Sequence, residues 1–340
     1  MKVREVSLEE AVGLPLSHDL TQVWPETKFK GPRFSRGHVV TREDFTVLKD
    51  MGREHLSVLD LDPSEVHEDD AALALASSLA GSGVEIRGPR EGKCSLLATH
   101  RGLLRFYPDA IHALNEDPLW SVVTLPPRMA VEAGQEVAAC RIMPLAMDKD
   151  RVDRACDRSR PLEVLPFRPL GVGLVTTGRE LAEGRIPDAF MPKLEKKLYR
   201  YGGHVVAQRY APDDPDRIVD AIEELIALGA TMVLCTGGMS VDADDRTPGA
   251  LRRAGDRVCF QGVPMMPGNM LMLALRGDIP LVGAPACVVH DERTSLDPLM
   301  DLLAAGVYPT AEEVRRWGVG GLCLRCPSCV WPRCSFGSGA

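Results

Sequence analysis

GVGLVTT (Gly171–Thr177), HVVAQRY (His204–Tyr210) and TMVLCT (Thr231–Thr236) are three short apolar runs separated by segments with the period of helices. Between the second and third, Asp214 followed by Pro215 supplies an N-cap with proline at the first helical position. Ile218, Ile222, Leu225 and Ile226 then share one face before Gly229 ends the helix. Between the first and second, DAFMPKLEKKLYRYGG starts at Asp188 and stops at Gly202 and Gly203. Thr247 with Pro248 opens a further helix, and IPLVGAP (Ile279–Pro285) reads as a further strand. Strands alternating with helices of this length predict an α/β fold, a three-layer sandwich whose mostly parallel sheet is covered by helices on both faces.

The charged, proline-spaced segment DKDRVDRACDRSRPLEVLPFRP (Asp148–Pro169) predicts a boundary before this fold. The expected organisation is an α+β amino-terminal domain over 1–165, the α/β domain over 166–310 and a short Cys-rich tail over 311–340. In the first domain HVV (His38–Val40), HLSVLDL (His55–Leu61) and SLLATHRGLLRFY (Ser95–Tyr107) read as strands, and Glu65–Leu79 as a helix. A chain of 340 residues with 45% hydrophobic composition can bury more than one core. Its formal charge of -8 argues against nucleic acid as a main partner, because such proteins need a basic face to displace counterions. No apolar run approaches the roughly 18 residues of a membrane span, and charges interrupt the apolar stretch of MKVREVSLEEAVGLPL, so the expected compartment is the cytoplasm.

In an open parallel sheet, ligands bind beyond the carboxyl ends of the strands. The unusual residues cluster there: Thr177, Gly178, Arg179 and Glu180 after the first strand, Asp213 and Asp214 after the second, and TGGMSVDADDRTP (Thr236–Pro248) after the third. Gly178, Gly237 and Gly238 let backbone amides approach a bound group, and successive amides near a helix start favour phosphate. Asp213, Asp242, Asp244 and Asp245 are candidates to hold Mg²⁺ against that phosphate. Taken singly, the TGG is a tight turn, Asp214 and Thr247 are helix caps, and the aspartates are a solvated acidic loop. The convergence of three such loops on one edge favours a site.

The third loop resembles the T-G-G-x-S…D-x-T-P signature of the molybdopterin-binding domain shared by molybdopterin adenylyltransferases and molybdotransferases. TTGRELAEGR (Thr176–Arg185) is similar to the TGDEL segment of that family, and APDDPDRI (Ala211–Ile218) to its P-D-D element. MPGN (Met266–Asn269) is similar to P-G-K-P, and LVGAPACVV (Leu281–Val289) to L-P-G-N-P-V-S. The resemblance spans roughly residues 168–306. It implies Asp213 and Asp245 as catalytic acidic positions, Gly237, Gly238 and Ser240 as the pterin or phosphate cradle, and Pro267 and Gly268 as a second wall, with Thr177, Gly178, Arg179, Glu180, Thr236, Thr247, Gly283 and Pro285 as further cofactor-binding candidates. Arg179 replaces the aspartate of TGDEL and Ala284 the asparagine of the N-P pair, so the chain departs from the molybdotransferase pattern at both. The implied ligand is molybdopterin or its adenylylated form, with Mg²⁺, ATP and molybdate as companions of adenylyl transfer or molybdate insertion, in a homo-oligomer. Two other readings stay open: a carrier that hands the cofactor to a molybdoenzyme partner, and a nucleotide hydrolase like the competence-damage relatives of the fold.

Outside that region, His18 with Asp19 and His67 with Asp69 and Asp70 are candidate polar site residues, more readily explained as solvated helix and turn residues; inside it, His290, just past the GAPACVV strand, is a candidate proton carrier or ligand that also reads as a satisfied strand-end histidine. Ten cysteines are many for a chain with no export signal, and four of them crowd into the last eighteen residues. Cys323, Cys326, Cys329 and Cys334 follow one another at intervals of three, three and five, candidates for thiolate ligation of zinc or of an iron-sulfur cluster. A flexible, oxidisable tail is the remaining reading.

Overall fold

The computed structural model describes residues 4–24, 29–59, 62–178, 189–239 and 246–338. The chain divides into two compact units, 1–99 with 106–125 and 133–163, and 100–105 with 126–132 and 164–340. One division falls near residue 163. The charged segment Asp148–Pro169 contains a helix, Lys149–Arg158, which buries Val152 and Ala155, and the strand Glu163–Pro166. Two features differ from the expected organisation. Residues 100–105 and 126–132 leave the first unit to join the second, where Gly102–Arg105 lies between Ala130–Val131 and Glu163–Pro166 in a small sheet. The last thirty residues also belong to the second unit, because Val314, Trp317 and Phe336 are buried in its core.

In the first unit, Arg4–Ser7 pairs antiparallel with His55–Val58 over a small core that includes Leu16, Leu48 and Leu56. Ser7 and Glu10 form a reciprocal capping box at the start of helix Leu8–Ala11. A four-stranded antiparallel sheet, ordered Val84–Arg90, Lys93–Ala98, Glu136–Ile142 and Trp120–Thr124, accompanies helix Glu68–Leu79. The expected strand at His38–Val40 is not formed, since Val39 makes only an isolated bridge to Pro15. Ser95–Tyr107 is two strands, broken after Ala98, rather than one.

Glu68 opens the helix Glu68–Leu79 and is 5% exposed. Burial first, and the neighbouring Asp69 charge second, push its carboxyl from 4.5 up to about 7. The folded state therefore binds more protons than the unfolded chain between those values, so this contribution to stability is lost as pH rises through the window. Glu68→Gln keeps the shape without the charge. It is expected to be more stable than the native chain by roughly 1–3 kcal/mol near pH 8, with the gain vanishing below 4.5. Urea unfolding at a series of pH values checks this, and a pH-independent difference would refute it.

The second unit is built on a six-stranded sheet. Its strands are β1 (Gly171–Thr177), β2 (His204–Ala211), β3 (Met232–Thr236), β4 (Arg257–Gln261), β5 (Met272–Arg276) and β6 (Ile279–Ala284). The order is β2-β1-β3-β6-β5-β4, parallel from β2 to β6 and antiparallel at β5 and β4. The expected α/β fold with a mostly parallel sheet holds. Alternate residues feed two cores. Val172, Leu174, Met232, Leu234 and Val282 pack with α1 (Met191–Tyr199) and α5 (Leu296–Ala304). Val175, Val233, Cys235 and Leu281 pack with α2 (Pro215–Ala227) and α3 (Thr247–Ala254). The two-residue period of a strand thus sorts side chains to opposite faces.

The Asp214 cap forms as expected, its carboxylate accepting from the amides of Asp216 and Arg217 at 2.8 and 3.2 Å. Ile218, Ile222 and Leu225 are fully buried beneath it. Helix α1 begins at Met191, later than expected, and Asp188 lies outside the described residues.

Candidate functional site

The parallel registers bring several strand ends level. Thr176 pairs with both Tyr210 and Thr236, Thr177 with Ala211, and Thr236 with Ala284. The segments that follow β1, β2, β3 and β6 therefore leave the sheet at one edge, on both sides of β1, where a parallel sheet opens a crevice.

Threonines brace these segments. Thr177 donates its hydroxyl to the Thr236 carbonyl at 3.0 Å, and Thr247, at the start of α3, donates to the Gly237 carbonyl at 2.9 Å. Both side chains are buried, so they position loops rather than face outward. Gly178 donates its amide to the Ala211 carbonyl at 3.3 Å, joining the β1 and β2 ends.

The Gly237–Gly238 turn lies at the centre, with φ of 85° and 54°. A Cβ on Gly237 would meet the Thr177 hydroxyl at 2.5 Å and its carbonyl oxygen at 2.6 Å. A Cβ on Gly238 would lie 2.9 Å from the Thr247 hydroxyl, 3.5 Å from an Asp213 carboxylate oxygen and 3.6 Å from the Thr177 hydroxyl. Three segments distant in sequence thus meet at one glycine pair, with a carboxylate beside it and the amino end of α3 following.

A second cluster stands at the end of β6. Ser295 donates its hydroxyl to the Gly268 carbonyl, and its amide donates to the Pro267 carbonyl at 3.0 Å. A Cβ on Gly268 would meet Ser295 at 2.5 Å and Pro285 at 3.2 Å, so Pro267, Gly268 and Pro285 are close-packed together. Gly283 does not open towards solvent. The space its side chain would take is filled by the Met239 thioether, 2.6 Å from the Cβ position at sulfur.

Met239 and Ser295 are the two positioning residues that motif reading passes over. Met239 is 4% exposed and anchors the TGG turn in the core, a function signalled by a large apolar residue directly after the glycine pair. Arg179, Glu180, Ser240 and Asp245, with Asp242 and Asp244, lie outside the described residues.

The amino-terminal candidates have structural partners. His67 is buried, its Nε2 on the Ser17 carbonyl and its Nδ1 accepting from the Asp69 amide, so it caps helix Glu68–Leu79. Burial holds its pKa below the ordinary histidine value. His67, Glu68 and Asp69 bring ligand atoms within 4.8 Å of one another, but both ring nitrogens of His67 are already engaged. His18 bonds Ser17, Asp19 accepts from the Arg36 amide, and Asp69 and Asp70 pair with the Arg36 guanidinium. The last residue of α4 (Cys287–His290), His290, is exposed and lines a cavity shared with all four tail cysteines.

Residues 173–303 match a family described as a probable molybdopterin binding domain. This segment belongs to the molybdopterin-binding domain family. Residues 5–60 match a separate domain of unknown function. The molybdopterin molybdenumtransferase of Synechococcus elongatus is 29% identical over 172 residues, 45% of this chain and 43% of that protein. A CinA-like protein of Syntrophus aciditrophicus is 34% identical over 83 residues, 24% of this chain and 20% of that protein. The chain thus spans less than half the length of these curated relatives. Among solved structures, the molybdopterin biosynthesis enzyme MoaB of Thermus thermophilus is 20% identical with a TM-score of 0.34, covering 41% of this chain and 98% of that one. The glycine turn, Asp213 and the Pro267–Gly268 cluster all fall within the molybdopterin-binding domain.

Proposed function

We propose that this chain binds molybdopterin, or its adenylylated form, at the carboxyl edge of the six-stranded sheet and serves molybdenum-cofactor biosynthesis. The observation that carries the reading is the Gly237–Gly238 turn, held against Thr177, Asp213 and Thr247 with no room for a side chain. Backbone approaching this closely leaves amides to cradle a phosphate, and the amino end of α3 adds its partial positive charge. Pro267, Gly268 and Pro285 form the opposite wall against the pterin.

Asp213 and Asp245 would hold Mg²⁺, which neutralises charge on phosphate oxygens when bound. The chain's own contribution is positioning: the glycine turn fixes the phosphate and Asp214 fixes the start of α2 next to Asp213. ATP or molybdate is the second substrate, giving adenylyl transfer or metal insertion, in a cytoplasmic homo-oligomer.

Calorimetry with molybdopterin and its adenylylated form, followed by product analysis after Mg-ATP and molybdate are added, tests this reading. Micromolar or tighter binding is expected, with turnover lowered on the order of 10²-fold in Asp213→Asn and in Asp245→Asn. Binding without turnover would replace the enzyme by a carrier that delivers the cofactor to a molybdoenzyme. Hydrolysis of ATP or ADP-ribose without pterin binding would overturn the reading in favour of a nucleotide hydrolase.

A further inference from the structure

Beyond the sheet edge, the second unit contains a cavity of about 240 Å³ whose lining includes Cys323, Cys326, Cys329 and Cys334. Cysteines spread over twelve residues face one space because the chain turns sharply between them. Arg325, between Cys323 and Cys326, has φ of 51°, a left-handed conformation that a non-glycine residue adopts at a cost and that tends to mark functional sites. The segment is also anchored. Cys323 donates its amide to the Met266 carbonyl at 2.9 Å, and the guanidiniums of Arg200 and Arg293 lie 4.2 and 4.8 Å from the Trp331 ring centroid. The floor is fixed while Cys326 and Cys329 remain exposed.

The spacing of the four cysteines bears on which metal group they would hold. Zinc bound by four thiolates at 2.3 Å draws the sulfurs to about 3.8 Å from one another in a tetrahedron. Among the described residues no three of these sulfurs lie within 4.8 Å of one another, and the cavity they surround is open. A cuboidal four-iron cluster takes each thiolate on a separate iron, at the corners of a larger tetrahedron, and needs room at the centre. Cys323, Cys326 and Cys329 also keep the C-x2-C-x2-C spacing of the ferredoxin run, and one further residue precedes Cys334. Thiolate ligands add negative charge, and Arg293, which lines the same cavity as Cys329, carries the opposite charge. Leu322, Val330 and Phe336 give the lining an apolar share, and Phe336 among them is buried.

We propose that Cys323, Cys326, Cys329 and Cys334 ligate a [4Fe–4S] cluster in this cavity, with Arg293 beside it. The site goes beyond pterin binding and stands or falls independently of it. Each thiol loses its proton on ligation. Because Cys323 is tied to Met266, next to Pro267 and Gly268, the cluster is linked through the backbone to one wall of the candidate pterin site.

The full chain is purified without oxygen and reconstituted with iron salts and sulfide. About four irons and about four acid-labile sulfides per chain are expected, with a brown colour that dithionite bleaches. Cys326→Ser and Cys329→Ser change exposed thiols, so their far-ultraviolet circular dichroism is expected to stay native while iron falls to background. Cys156→Ser, in the other unit, keeps the full complement. A colourless chain that takes up one zinc, a chain that retains no metal, or folded serine variants that keep their iron would each overturn the assignment.

Discussion

Gly237→Ala is expected to weaken molybdopterin binding by more than about 100-fold and to lower stability by about 1–3 kcal/mol. Two effects act at this position. The backbone has φ of 85°, which an L side chain rarely adopts, and the new Cβ would stand 2.6 Å from the Thr177 carbonyl oxygen. That oxygen belongs to the end of β1 and has no rotamer by which to retreat, so the turn itself must move. Displacement carries Gly238 away from Asp213 and Thr247 and opens the cradle.

Gly277→Ala separates the two effects. Gly277 lies in the turn between β5 and β6 with φ of 56° and nothing within 4 Å of its Cβ position. It is expected to cost about 1 kcal/mol from backbone strain and to leave affinity unchanged. Calorimetry and urea unfolding of both variants provide the comparison. Native affinity in Gly237→Ala would show that the close approach at Thr177 has nothing to do with the ligand.

The parallel part of the sheet was legible because β1, β2, β3 and β6 are short apolar runs bounded by glycines, prolines and caps, each a local signal. The antiparallel edge was not. Met272 to Leu275 in β5 are all buried, so the strand shows no alternation, and RVCFQ in β4, although bounded by Gly255 and Gly262, follows no two-residue period of burial. The glycines and acidic residues after the strands pointed to the edge where the loops meet. Their detailed roles needed three dimensions, since only the fold shows the Thr177 and Thr247 hydroxyls turned to loop carbonyls. His67 was open to either reading in sequence, and the buried cap it makes depends on Ser17, fifty residues away. The second unit's claim on residues 100–105 and 126–132 rests on equally distant pairing, between Gly102–Arg105 and strands on either side. Four crowded cysteines marked the tail as a candidate in sequence, whereas the burial of Trp317 and Phe336 that fixes the segment in place follows no periodic pattern.

Lys197→Met is expected to destabilise the second unit by about 3–5 kcal/mol. Lys197 and Asp297 are both nearly inaccessible, with the ammonium 2.7 and 2.8 Å from the two carboxylate oxygens and a further bond to the Glu292 carbonyl at 3.1 Å. Methionine preserves the stem but leaves the Asp297 charge buried with only the Arg293 guanidinium and the Thr294 amide to compensate it. The lysine is itself held below its ordinary pKa, first by burial and against the opposing pull of Asp297, so removing it saves a desolvation cost while stranding a carboxylate. The second effect dominates because the carboxylate cannot reach water. Replacing both partners, in Lys197→Met with Asp297→Leu, removes the stranded charge and is expected to recover at least about half of the loss. A double variant no more stable than Lys197→Met alone would place the energy in the remaining contacts of Asp297 with Arg293 and Thr294. Guanidinium unfolding of the two single variants and the double variant closes the cycle. Arg293 joins this network to the tail, since it bonds Asp297 and also stacks on Trp331. Weakening the Lys197–Asp297 pair is therefore expected to expose the segment after Gly318 to protease earlier than the sheet.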